Sequence, residues 1–201
     1  MAPQNMKLIY FDGRGRAEVS RLILALAGQE RTIYRFILLS LSGTPFGQLP
    51  VIEIDGKLFG QSIAIATYLA REFGFYGQSN LDGLLIDQAV QLGMDLLRVG
   101  FGAFMESDET KKAELTKTLK EVEVPKFYGF FEKLLKESGT GYFVGNSLTL
   151  ADIFVRDVEY NISSRDVATA DGFPLLQDLI KKVDTNERIK AYLATRKDTP
   201  F

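Results

Sequence analysis

Tyr10-Phe11-Asp12-Gly13-Arg14-Gly15-Arg16-Ala17-Glu18 is the stretch on which the reading of this chain turns. It stands where a short apolar run, Lys7-Leu8-Ile9-Tyr10, gives way to an amphipathic segment from Ala17 to Ala27. Val19, Leu22, Ile23 and Leu26 share one face of that segment, the spacing of a helix. A strand thus ends on a phenol where a helix opens beside two guanidiniums. The N-terminus of a helix favours anions through its unpaired N–H groups and its dipole. The stretch predicts a mouth that holds a negative sulfur or oxygen.

Composition narrows the chemistry. The chain has 201 residues, a formal net charge of −2 and 46% apolar residues, enough for one large domain or two small ones. Charges of both signs are interspersed, so neither nucleic acid nor an anionic membrane is an expected partner. Met1-Ala2-Pro3-Gln4-Asn5 lacks the basic and apolar regions of a signal peptide, and no apolar run approaches the ~18 residues of a membrane span. A cytoplasmic protein is expected. The sequence contains no Cys and no His. Disulfides, a thiolate nucleophile, CxxC redox chemistry, Ser-His-Asp catalysis and HExxH metal sites are therefore excluded. Any thiol chemistry must use a sulfur carried in by a small molecule.

Outward from the opening stretch, residues 6 to about 77 alternate strands and helices. Thr32–Leu39 is apolar and strand-like. Val51–Ile54 meets Lys57–Phe59 across Asp55-Gly56, a strong hairpin signal. A second helix starts near Gln61-Ser62 and runs to Phe73, ahead of Gly74-Phe75-Tyr76-Gly77. The order βαβ then ββα is thioredoxin-like. Polar Gln78–Gly83 reads as a linker, and everything from Leu84 onward reads as helix. The predicted organisation is an α+β thioredoxin-like domain over 1–77, a linker at 78–83, and an all-α domain over 84–201. Leu84–Met105 is one expected helix. Thr110–Lys136 is another, bent at Pro125, with Leu115, Leu119, Val122, Phe127, Phe131 and Leu134 inward. Thr149-Leu150-Ala151-Asp152 has the form of a capping box, a folding signal rather than a chemical one.

Taken in order, these pieces resemble the cytosolic glutathione S-transferases, and the sigma class in particular. The anchors are the stretch at 10–18, Pro45-Phe46-Gly47-Gln48-Leu49-Pro50, Glu53-Ile54-Asp55-Gly56, Gln61-Ser62-Ile63-Ala64-Ile65-Ala66, and Val144-Gly145-Asn146-Ser147-Leu148-Thr149-Leu150-Ala151-Asp152. The resemblance implies that Tyr10 donates a hydrogen bond to the thiolate of glutathione and that Arg16 points into the cleft. Arg14 is expected at a salt bridge or in solvent. A free thiol with a pKa near ~8.5 is only a few per cent ionised at pH 7. One hydrogen bond to the charged form contributes ~1.5–3 kcal/mol, which lowers a thiol pKa by roughly one to two units.

Further implications concern the rest of the tripeptide. Leu49-Pro50 is expected to be cis, with Leu49 offering its backbone to the cysteinyl amide beside Gln48. Gln61 and Ser62, at a helix start, would receive the γ-glutamyl carboxylate. Asp95 would reach the glutathione of a partner subunit, which implies a two-fold homodimer. Read without the resemblance, Asp95 is a solvated helix residue. Phe46 either docks into the neighbouring subunit or anchors its own loop. Phe11, Leu97, Phe101, Phe154, Val158 and Phe201 are the expected wall of an apolar substrate site.

The implied reaction conjugates glutathione to a small apolar electrophile, with no cofactor besides that co-substrate. Alternatives are a glutathione-dependent isomerase of prostaglandin type and a weakly catalytic crystallin or ligand carrier. Two departures bear on the choice. Residues 30–43 contain neither the Trp nor the Lys with which relatives hold glutathione, and relatives carry several more residues there. Either the loop is shortened, which weakens binding, or the sequence lacks residues at that point. Around Asp95 stand Gln91 and Met94 instead of the carboxylates that bind metal in the prostaglandin-isomerising members, so no metal is expected.

Overall fold

The structure, a computed structural model, describes residues 5–29, the backbone of 33–35, and residues 41–196. Expectations for residues 30–32 and 36–40 and for Phe201 lie outside the described residues. Contacts divide the chain into two units, one of residues 5–76 with 185–196 and one of residues 77–184.

In the first unit, β1 (Met6–Tyr10) runs parallel to β2 (Ile33–Arg35) and antiparallel to β3 (Val51–Ile54), which pairs antiparallel with β4 (Lys57–Gly60). The sheet order is β2-β1-β3-β4. Asp55 and Gly56 both have positive φ, 49° and 80°, as a two-residue type I′ hairpin requires. Helix α1 (Glu18–Leu26) follows one 3-10 turn at Gly15–Ala17, and Val19, Leu22, Ile23 and Leu26 are buried as the periodicity predicts. Helix α2 (Ser62–Glu72) stops at Gly74, whose φ of 80° lets the Phe75 N–H close onto the Ala70 carbonyl at 2.7 Å.

The second unit is helical, with α3 (Asn80–Phe104), α4 (Glu109–Thr118), α5 (Val124–Ser138), α6 (Leu150–Ser163) and α7 (Pro174–Thr185). The expected linker at 78–83 extends too far. Ser79 accepts from the Asp82 N–H at 3.1 Å and Asp82 bonds the Ser79 N–H at 3.1 Å, a capping box that starts α3 four residues early. The single helix expected over Thr110–Lys136 is also revised. A π-turn at Leu119–Glu123 separates α4 from α5, with Pro125 in the first turn of α5. Proline has no N–H to give the carbonyl four residues back, and the wide turn accommodates that loss. The extra residue shifts the buried register from Leu119 to Val124, Tyr128, Phe131 and Leu135. Val122, expected inward, is consequently exposed, and Leu115, on α4 before the π-turn and also expected inward, is exposed as well.

Helix α8 (Glu187–Thr195) belongs with the first unit, not with the helical domain in which the sequence reading placed it. Its Arg188 guanidinium donates to the Leu26 carbonyl at 2.8 Å, closing the C-terminus of α1. Among the described residues no helix is long and apolar enough to cross a membrane.

Candidate active site

Strand register assembles the site. Ile9 lies opposite Val51, and Val51 opposite Gly60. The next residues outward, Tyr10, Pro50 and Gln61, therefore form a row across one end of the sheet. Three motifs separated by up to 51 positions meet there because the strands alternate direction. The peptide bond Leu49-Pro50 is cis, as expected. Pro50 is buried, Leu49 half-buried and Gln48 exposed. Gln61 holds a φ of 74°, rare for a residue with a side chain, and does not cap α2 with that side chain. Ser62 is the first residue of the helix and half-buried.

The Tyr10 hydroxyl accepts from the backbone N–H of Arg16 at 3.2 Å. Among the described residues no group accepts the phenolic proton, which can be given to a ligand. Gly15 makes the approach possible: a Cβ there would lie 2.5 Å from the Tyr10 oxygen, and its φ is +41°. Phe11 packs edge-on against the Tyr10 ring, centroids 5.3 Å apart. Arg16 thus reaches the phenol through its backbone, while its side chain is exposed. Arg14 lies 3.6 Å from the Glu18 carboxylate, the salt bridge expected of it.

The sequence reading missed Arg21. Its guanidinium sits 5.5 Å from the centroid of the Tyr10 ring and donates to the carbonyls of Gly13 at 2.7 Å and Phe11 at 2.5 Å. It braces the turn that carries the phenol. Glu18 and Arg21 stand three apart in a first helical turn, the spacing of an ordinary surface pair, and nothing in that spacing announces burial.

In the second unit, Asp95 is half-exposed on α3 and pairs with Arg98 at 3.0 Å. Leu97 and Phe101 are half-buried on the same helix. Phe154 and Val158 are not on an open wall. They are buried against α3 at Gly93, where a Cβ would meet the Phe154 ring at 2.7 Å and Val158 at 3.1 Å. Their spacing on α6 is the spacing of a core stripe. Phe46 is largely exposed, although a Cβ on Gly60 would fall 2.9 Å from its ring. Beside it lies an apolar hollow of about 470 Å³ bordered by Ile54, Leu58, Phe59 and Tyr68. Of the expected glutathione ligands only Gln61 borders it. Among the described residues no three acidic side chains are grouped so as to hold a metal ion.

A family model described as the glutathione S-transferase N-terminal domain matches residues 6–71, and one described as the C-terminal domain matches residues 94–196. The chain is 38% identical to probable glutathione S-transferase 6 of Caenorhabditis elegans, over 97% of this chain and 98% of the relative. A Nu-class enzyme of Haemonchus contortus superposes with a TM-score of 0.88 at 36% identity, covering 98% of each chain. The sigma-class enzyme of Fasciola hepatica gives 0.85 at 30% identity, over 98% of this chain and 99% of that one. A protein of Necator americanus described as monomeric Na-GST-3 gives 0.81 at 38%, over 98% and 100%. With both domains matched in order and similarity running through nearly the whole chain, this protein belongs to the glutathione S-transferase family and is an enzyme of that kind.

Proposed function

We propose that this transferase is a sigma-like enzyme that ionises glutathione with Tyr10 and conjugates the thiolate to small apolar electrophiles. The observation that carries the reading is the Tyr10 phenol itself. Its oxygen is engaged by the Arg16 N–H at 3.2 Å, and its proton remains to be donated at the sheet end that also holds Pro50 and Gln61. A hydroxyl that accepts one hydrogen bond donates the other more strongly. A neutral phenol stabilises the thiolate without being consumed. The thiol proton leaves to solvent, sulfur attacks the electrophilic carbon, and with an aryl halide the carbon–halogen bond breaks to release halide.

In this reading the backbone of Leu49 pairs with the cysteinyl amide, with Gln48 beside it. Gln61 and Ser62 take the γ-glutamyl carboxylate at the start of α2, where helix N–H groups favour an anion. Phe11 borders the electrophile's site, and no cofactor besides glutathione takes part. The protein acts in the cytoplasm. Tyr10→Phe should lower kcat with a generic aromatic halide about 10- to 100-fold and raise the pH of thiolate formation by roughly one to two units. Unchanged kinetics would remove Tyr10 from the chemistry.

Asp95 serves the glutathione of a second subunit in a homodimer. Exposed Leu81, Leu84 and Leu85, at one face of α3, support a covered surface there. Sedimentation at micromolar concentration should give twice the chain mass of 22.5 kDa. A single-chain mass would take Asp95 out of the site. Residues 30–43, lacking Trp and Lys, favour weak glutathione binding as a second reading, that of a ligand carrier. Retention on immobilised glutathione together with turnover rejects it.

A further inference from the structure

Glu18 opens α1 with its side chain fully buried. A buried carboxylate without partners costs several kcal/mol, so its neighbours define its purpose. The Arg14 guanidinium is 3.6 Å from one oxygen, and those of Arg21 and Arg196 are 3.3 and 3.4 Å from the other. The Tyr192 hydroxyl donates to the carboxylate, 3.2 and 3.3 Å from its two oxygens. Burial first, and the Glu18 charge second, push the Tyr192 phenol well above its ordinary pKa, so it remains a donor through the neutral range.

These partners fall in two groups. Arg14 and Arg21 belong to the Tyr10 end of the unit, and Arg21 spends its other N–H groups on the carbonyls of Phe11 and Gly13. Tyr192 lies on α8, and Arg196 follows that helix. One carboxylate therefore links α8 to the guanidinium that braces the turn, and the turn presents Gly15 and the Arg16 N–H to Tyr10. We propose that Glu18 is a positioning residue for the Tyr10 phenol and that Tyr192 fixes Glu18, so that α8 sets the geometry at the thiolate mouth. The inference rests on the reading of Tyr10 as the thiolate's donor.

Tyr192→Phe removes one hydroxyl and keeps the ring. Small displacements of a reacting group carry large rate effects. The expected result is a kcat about three- to tenfold lower, with the pH of thiolate formation on the enzyme, read by thiolate absorbance, moved upward. KM for the electrophile should not change. Glu18→Gln should act in the same direction and more strongly; if it does not fold, Tyr192→Phe and Arg196→Gln carry the test. A lower denaturation midpoint with an unmoved thiolate titration means a purely structural role and overturns the proposal. Tyr10→Phe measured alongside separates the two readings. If it shifts the titration and Tyr192→Phe does not, only the positioning role fails. If neither shifts it, both fall.

Discussion

A single missing Cβ decides where the phenol sits. Gly15 combines a φ of +41° with a Tyr10 oxygen in the space a methyl group would fill. Gly15→Ala should displace the phenol, lower turnover about as far as Tyr10→Phe, and cost roughly 1–2 kcal/mol of stability through the backbone. The check is kcat against the denaturation midpoint in one variant. An alanine variant with full activity would show that the close approach is dispensable. Sequence alone named Tyr10 and Arg16, because their motif is dense and local. It could not show that Arg16 works through its N–H, since the side chain is what a sequence displays. It also gave no reason to look at Glu18, a residue type almost never fully buried unless paired, whose pairing partners Tyr192 and Arg196 stand far away in the chain.

Among elements, α3 and α6 fit closely. Gly93 on α3 lets the Phe154 ring and Val158 of α6 come up to the helix backbone. Gly93→Ala overfills that contact and should cost about 1–3 kcal/mol, read as a lower urea midpoint at unchanged slope. No loss would mean that the ring has room to turn aside. This packing also explains why Phe154 and Val158 were misread as a substrate wall: apolar residues four apart on a helix look the same whether a ligand or another helix covers them. The strands, the Asp55-Gly56 hairpin and the breaks at glycine were legible, since each follows from local backbone chemistry. The π-turn was only half legible. Pro125 announced a disturbance, but the direction of the register shift depends on which face meets the core, and that is settled in three dimensions.

For the molecule as a whole, two buried phenols set the alkaline limit. Burial raises Tyr128 and Tyr192 far above the ordinary value of 10.0, with the carboxylates of Glu159 and Glu18 adding to it. Below that value both the folded and unfolded chains keep these protons. Above it the unfolded chain releases them first, so their contribution to stability is full below pH 10 and falls as pH rises, by about 1.4 kcal/mol per pH unit for each phenol. Urea midpoints between about pH 9 and 11 should show the decline, and Tyr192→Phe should flatten it; an equal slope in that variant would exclude Tyr192 as a source. The same residue has a consequence in time. Tyr192 stands 174 positions after its partner Glu18, and Arg188 stands 162 after Leu26. During synthesis the ribosome must therefore emit the entire helical unit before α8 can close over α1, and the first unit to be started is among the last to be finished.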